Sequence, residues 1–399
     1  MDINKFIYDF IGRTESMFST DLLKYKEDLS KEVKGKNVLV IGAAGSIGSS
    51  FISAILDFKP KKIVAVDINE NGLTELVRDI RSTDGKYIPS EFYTYPVSFD
   101  SSSFRKLFHA HGPFEIITNF AAHKHVRSEK DIYSIQALLE NNVIKAKGLL
   151  DLLLDIPPKH FFCVSTDKAA NPVNIMGASK KLMEELILSY SPFFKTTSAR
   201  FANVAFSNGS LLDGFIKRVD KLQPLACPSD VKRFFVSHEE SGQICLLACI
   251  LGKTGEIFFP KLDMVNDLTK FSDILPSFLL KKGFEAVYFK NESDAKSNLS
   301  LINKGKYPVF LFETNTSGEK LFEEFYTEDE VINIDHFNSL GVVIKQPSYD
   351  KKLMDLIIYE IENLFESTIC DKSMIVNWLK KYIPNFNHIE TGVGLDSKM

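Results

Sequence analysis

The sequence carries one tryptophan and five cysteines in 399 residues, and no two cysteines form a CxxC pair. An odd, unpaired set argues against a disulfide framework and for a reducing cytoplasm. Cys245 and Cys249 fall one helical turn apart in SGQICLLACILG. With no further Cys or His beside them, they read as core packing and not as soft metal ligands. No apolar run approaches the ~20 residues of a bilayer span, and MDINKFIYDF has no signal-peptide pattern. The expectation is therefore a cytoplasmic chain with no membrane span. An excess of positive charge is also missing. The formal net charge is -4 and the pI is near 6.1, which argues against nucleic acid as a partner. No internal repeat or low-complexity segment is present. Phenylalanine is abundant, at 33 residues, within a hydrophobic content of 44%. This reads as core filling, with room for one large α/β domain and a smaller appended one.

From Lys36 the pattern alternates apolar strands with helices. Strands are expected near 37–41, 62–66, 92–97, 115–119, 160–165 and 196–202. This predicts an α/β fold, a doubly wound parallel (Rossmann) sheet, with a smaller C-terminal substrate-binding region. Residues 1–35 read as a helical extension covering the sheet or a dimer seam. Helices near Ile135–Leu154 and Ala178–Tyr190 carry apolar faces, and their pairing predicts a homodimer or higher homo-oligomer. Asn291–Gly305 reads as a loop, GEKLFEEF from Gly318 as a helix start, and the tail beyond Ile383 as loosely ordered.

The stretch KNVLVIGAAGSIGSS, Lys36–Ser50, runs an apolar strand into Gly42, Gly45 and Gly48, with Ala44, Ser46 and Ile47 between them. Glycines at this spacing permit a tight turn, close approach of backbone N–H groups to a diphosphate, and close packing of the following helix. The next strand ends in Asp67, about twenty residues on, where a carboxylate takes the adenosine ribose hydroxyls. A Gly-rich turn without a ligand is the alternative, and it leaves Asp67 unexplained. Asp67 would repel a 2′-phosphate, and Ile68, Asn69 and Glu70 offer no Arg to receive one, so NAD is expected over NADP.

The organising stretch is FFCVSTDKAANPVNIMGASK, Phe161–Lys180. A buried strand turns abruptly polar at Ser165, Thr166, Asp167 and Lys168, where ligands lie in an open α/β sheet. The same residues also suit a solvated loop. TNFAAHKHVRSEKD leaves another strand and displays Ala121, Ala122, His123, Lys124 and His125. Small alanines let a cofactor lie close to the backbone. His-x-His resembles a metal pair, but no partner is evident, so no metal is expected. Asn203, Arg233 before two aromatics, and Lys261 after an apolar strand complete the polar candidates.

VLVIGAAGSIGS, AAHKHV, STDKAANPVNIMGASK, RFANVAFSNGS, KRFFVS, GEIFFPK and SGEKLFEE together resemble the extended short-chain dehydrogenase/reductases. More closely, they resemble nucleotide-sugar 4,6-dehydratases of the CapD-like polysaccharide biosynthesis family. Ile11–Arg13 resembles the segment leading into the soluble part of large membrane-anchored members, and the expectation is a chain without their membrane part. The resemblance implies residues 1–35 as an extension, 36–205 as an NAD-binding domain with the catalytic loop, and 206–399 as mostly nucleotide-sugar-binding region and C-terminal helices. It implies NAD at Gly42, Ala44, Gly45, Ser46, Ile47, Gly48, Asp67, Ala121, Ala122, Lys124, Ser165 and Lys180. It implies a UDP-sugar at Lys124, His125, Asn203, Arg233 and Lys261.

Met176 stands where most of the superfamily has Tyr, four residues before Lys180. It resembles the branch that keeps the C5 configuration, the UDP-N-acetylglucosamine 4,6-dehydratases. Thr316 stands where the family usually has a diphosphate-binding Arg. The implied reaction is internal redox: oxidation at C4, loss of water across C5 and C6, and reduction at C6. Lys168 is the expected base, with its pKa lowered toward neutrality, and Asp167 the expected acid, with its pKa raised. Lys180 would hold the nicotinamide ribose, and Thr166, through water or Lys180, would take the C4 hydroxyl proton. A nucleotide-sugar epimerase or 4-reductase remains a rival, as does a non-catalytic NAD-binding regulator. The rival chemistries need neither Asp167 nor Lys168, and a regulator needs only the Gly-rich loop and Asp67.

Overall fold

The computed structural model describes residues 3–314, 318, 320 and 322–391. Six strands carry the first half: β1 (Asn37–Ile41), β2 (Lys62–Val66), β3 (Glu91–Tyr95), β4 (Ile116–Asn119), β5 (His160–Val164) and β6 (Thr196–Ala199). They pair in parallel in the order β3-β2-β1-β4-β5-β6, with Val38 opposite both Ile63 and Ile116, and Ile117 opposite Phe161. β1 and β5 are apolar at nearly every position because both faces of the sheet are covered. Val38, Val40, Phe162 and Val164 enter one core, while Leu39, Ile41, Phe161 and Cys163 enter the other. Winding reverses between β1 and β4, which opens a crevice at the carboxyl ends of the strands.

Nine strands follow: β7 (Asn203–Val204), β8 (Leu225–Pro228), β9 (Lys232–Val236), β10 (Glu256–Pro260), β11 (Leu268–Lys270), β12 (Glu285–Phe289), β13 (Lys306–Phe312), β14 (Ile332–Asn333) and β15 (Leu340–Ile344). β10 extends the large sheet parallel to β6, and β15 then β14 add antiparallel. The other strands form two small sheets, β11-β9-β7 and β12-β13-β8. A third core lies with them, around Phe215, Phe235, Phe278 and Tyr307. Cys245 and Cys249 are fully buried in the first core.

The extension over residues 1–35 is not a single cover. Helix Ile3–Phe10 sends Phe6 and Ile7 into the third core, whereas Leu29 and Val33 of helix Lys26–Val33 join the first. Between them, Arg13 anchors the extension to helix His238–Leu251 by donating to both Glu240 carboxylate oxygens at 2.9 Å.

The expected dimer face is covered by the chain itself. Helix Ile175–Ser189 is buried along its whole length. Leu182, Met183 and Leu186 pack in one core with Met354, Ile358, Trp378 and Leu379 from helices Lys351–Glu366 and Lys372–Tyr382. Lys351 reaches Asp151 of the neighbouring helix Lys145–Leu153 at 3.1 Å. The apolar surface of helix Ile175–Ser189 is therefore covered within one chain.

The described part of the tail, up to residue 391, is docked instead of loose. Asn387 N–H donates to the Pro172 carbonyl (3.1 Å), and Ile389 N–H to that of Val173 (2.9 Å). The Asn291–Gly305 stretch holds helix Glu292–Ser297 and a 3₁₀ turn, Leu299–Lys304. Gly318, Lys320 and residues 322–326 are not helical. Among the described residues, no helix is long and apolar enough to cross a membrane.

Candidate active site

The turn after β1 forms a cradle. Gly42 has φ +75°, and a Cβ there would meet Ala121 N at 2.5 Å. A Cβ on Gly48 would strike the Gly42 carbonyl oxygen and lie 3.0 Å from Ala43 Cα. Gly45, with no side chain, stands at the N-cap of helix Ser46–Leu56, so no capping side chain is bonded to that helix start. Ser46 Oγ accepts from Asn208 N–H at 3.0 Å, pinning the following loop beside the cradle. Asp67 accepts from the N–H groups of Ala44 (3.0 Å) and Asn69 (2.9 Å), which fixes its carboxylate at the end of β2.

A cavity of about 270 Å³ runs from this cradle to the carboxyl end of β5. Gly42, Gly45, Ser46, Ile47 and Gly48 form one end; Ser165, Thr166, Asp167, Lys168, Met176 and Lys180 form the other. Ala122 and Lys124 also line it, whereas Ala44, Asp67 and Ala121 do not. A second cavity of about 580 Å³ shares Lys124, Lys168 and Asn203 with the first and adds His125 and Arg233. The sequence candidates from five separate segments thus converge.

The polar groups around β5 form a tight cluster. Asp167 Oδ1 accepts from Thr166 Oγ1 (2.7 Å), Lys168 N (2.8 Å) and Lys168 Nζ (3.1 Å). Lys168 Nζ also lies 3.6 Å from Glu323 Oε1. Lys168 therefore departs from the sequence expectation. Burial alone pulls its pKa down, but the Asp167 and Glu323 carboxylates outweigh burial and hold it above the ordinary lysine value. Lys180 behaves as a buried lysine should. Its ammonium donates to the Val164 carbonyl at 3.2 Å, and burial holds its pKa below the usual range. Burial also lowers the pKa of Lys124 and His125.

Ser165 Oγ donates to Glu184 at 2.6 Å, and Glu184 is paired bidentately with the fully buried Arg200 (2.8 and 2.7 Å). That network fixes the end of β5 from below. Asn203 faces both cavities, and its Nδ2 is buried with no hydrogen-bond partner among the described residues. A buried donor without an acceptor is costly, and at a cavity wall it suits a ligand oxygen.

Lys261 does not join the site. Its ammonium donates to the carbonyls of Ile334, Phe337 (2.7 Å) and Asn338 (3.2 Å), and it lines neither cavity. Arg233 is in the second cavity and donates to the Lys320 carbonyl at 3.0 Å. Thr316 lies outside the described residues.

Three contributors were missed. Asn142 sits in a π-helical turn, Glu140–Ile144. It accepts from His123 N and donates to the His123 carbonyl, both at 2.9 Å, which holds the loop before Lys124. Adjacent asparagines in an apolar helical run were the available signal. Glu129 accepts from Ile175 N at 2.5 Å at the start of the long helix and pairs with His388 of the tail at 3.1 Å. Glu323 lies in the SGEKLFEE motif, but nothing local separates it from Glu324.

Residues 38–345 match the model of a family described as polysaccharide biosynthesis protein. An uncharacterized membrane protein of Methanocaldococcus jannaschii is 31% identical over 323 residues, 79% of this chain and 88% of that protein. The capsular polysaccharide biosynthesis protein CapD of Staphylococcus aureus is 29% identical over 346 residues. That is 84% of this chain and 52% of CapD, so the chain spans about half of that relative. A UDP-N-acetylglucosamine 4,6-dehydratase (inverting) of Campylobacter jejuni is 27% identical over 237 residues, 57% of this chain and 67% of that enzyme. Among solved structures, Pen from Bacillus thuringiensis shares the fold, with a TM-score of 0.64 at 21% identity over 82% of this chain and 98% of Pen.

Proposed function

This chain belongs to the polysaccharide biosynthesis protein family, and we propose that it is a nucleotide-sugar 4,6-dehydratase acting on UDP-N-acetylglucosamine with NAD. The observation that carries the reading is the cavity itself. It joins a diphosphate cradle at Gly42–Gly48 to an acid and an amine, Asp167 and Lys168, 3.1 Å apart.

NAD fits the first cavity. Side chains at Gly42 or Gly48 would fill the cradle, and the uncapped helix start suits a diphosphate. Gly42, Ala44, Gly45, Ser46, Ile47 and Gly48 would hold the diphosphate and Asp67 the adenosine ribose. Ala121, Ala122, Lys124, Ser165 and Lys180 would meet the nicotinamide half. Bound there, NAD supplies the hydride acceptor and donor for the sugar. Lys124, His125, Asn203 and Arg233 of the second cavity would take the UDP-sugar.

Lys168 Nζ takes the C5 proton, which a C4 ketone makes acidic, and Asp167 gives a proton to the departing C6 oxygen. Thr166, through water or Lys180, relays the C4 hydroxyl proton, because Met176 has none to exchange. The Campylobacter relative is named as inverting. With Met176 at the Tyr position, this chain keeps the C5 configuration. Lys168 must lose its ammonium proton before it can act, and the natural acceptor is Asp167.

Mass spectrometry of UDP-N-acetylglucosamine incubated with the protein tests the reading. Loss of one water supports dehydration. Isomerisation supports a 4-epimerase, and an unchanged sugar supports a cofactor-binding protein without this activity.

A further inference from the structure

Glu323 has no part in the dehydration chemistry, yet it lies in the second cavity's wall beside Lys168. Its carboxylate is 3.6 Å from Lys168 Nζ, with the two side chains 4% and 16% exposed. Asp167 flanks the same ammonium at 3.1 Å. The other charges facing Glu323 are Arg233 of β9 and Lys320 of its own segment. Two carboxylates thus share one ammonium, away from bulk water.

The reaction needs a proton on Asp167 and none on Lys168. Between them the pair holds one proton, and its transfer breaks an N–H bond and makes an O–H bond with no net change of charge. An ionised Glu323 opposes that transfer by attracting the ammonium. Its repulsion of an ionised Asp167 works the other way, but the attraction to Lys168 is the larger effect. At an effective dielectric of about 20, one charge at this distance changes the ammonium's acidity on the order of a thousandfold.

We propose that Glu323 acts through Lys168 as the switch on its basicity: ionised, it holds Lys168 as the ammonium; protonated, it lets the proton pass to Asp167. Burial pushes the Glu323 carboxyl upward, which brings its protonated form toward neutral pH. The effect on turnover rests on the dehydratase reading, whereas the charge of Lys168 does not.

Glu323→Gln tests both. In protein without substrate, acetylation of Lys168 by acetic anhydride at pH 8, read by peptide mass spectrometry, should be at least about tenfold faster than in wild type. Equal rates overturn the proposal. Glu323→Asp keeps the charge one methylene further back and should speed acetylation by a smaller factor. If the Gln variant does not fold, no change in the Asp variant overturns the proposal by itself. With UDP-N-acetylglucosamine, the alkaline limb of the kcat–pH profile should rise by at least about one pH unit in Glu323→Gln, because the ionisation that shuts off Lys168 is gone. A uniformly lower profile with an unmoved limb marks a structural role and overturns the proposal. Absence of dehydration in wild type would defeat the dehydratase reading, and acetylation would still decide the role of Glu323.

Discussion

Gly42→Ala isolates the cradle from the rest of the fold. At Gly42 an added methyl would lie 2.5 Å from Ala121 N and 2.7 Å from Phe120 C, both backbone. Ordinary contact begins at 3.4 Å, so the overlap is about 0.9 Å, and neither neighbour is a side chain that can swing away. The backbone sits at φ +75°, which costs an L-residue about 1–2 kcal/mol. Overlap in a packed site adds about 1–3 kcal/mol. Gly85 is the control. It has φ +70° with nothing within 4 Å of a Cβ, so Gly85→Ala carries the backbone cost alone. At roughly 2 °C per kcal/mol for a chain of this size, Gly42→Ala should lower the melting temperature by roughly 4–10 °C. Gly85→Ala should lower it by no more than about 4 °C. Calorimetric titration with NAD should show affinity at least about tenfold weaker in Gly42→Ala and unchanged in Gly85→Ala. Equal melting shifts, or wild-type NAD affinity in Gly42→Ala, would refute the steric argument.

Asp167→Asn and Lys168→Met should each slow turnover by roughly 10²–10⁴-fold, the usual contribution of a positioned acid or base. NAD affinity, by the same titration, should hold. Lys261→Met should lower unfolding free energy by about 1–3 kcal/mol, because three carbonyls lose a charged donor. Its turnover per folded molecule should stay within about twofold, and a selective loss of substrate affinity would return Lys261 to the site. Cofactor extracted from the purified protein should be NAD(H), since Asp67, in the ribose-binding role proposed for it, would repel a 2′-phosphate. NADP(H) at high occupancy would contradict that assignment.

The large sheet was legible because β1, β2 and β5 are short apolar runs bounded by polar turns, a pattern that requires burial on both faces. The cradle was legible because its glycine spacing is a local pattern: Gly48 packs on Gly42 and Ala43, although the closest neighbours of Gly42, Phe120 and Ala121, lie far along the chain. What escaped depended on partners far along the chain. A lysine after an apolar strand reads the same whether it meets a ligand or, like Lys261, the carbonyls of a later loop. Glu323 and Glu324 are neighbours with opposite fates, one buried on Lys168 and the other exposed. The direction of the Lys168 shift could not be read without that placement. The apolar face of helix Ile175–Ser189 was correctly seen as needing cover. Its cover comes from helices at the other end of the chain, which periodicity cannot pair with it.

The most direct test of the dehydratase reading is the reaction in heavy water, followed by nuclear magnetic resonance of the product. The account predicts a UDP-4-keto-6-deoxy sugar with deuterium at C5 and the gluco-type configuration kept, because Lys168 removes the C5 proton and Met176 stands in the Tyr position. A 6-deoxy product with no deuterium at C5, or recovery of only the starting sugar and its C4 epimer, would contradict it.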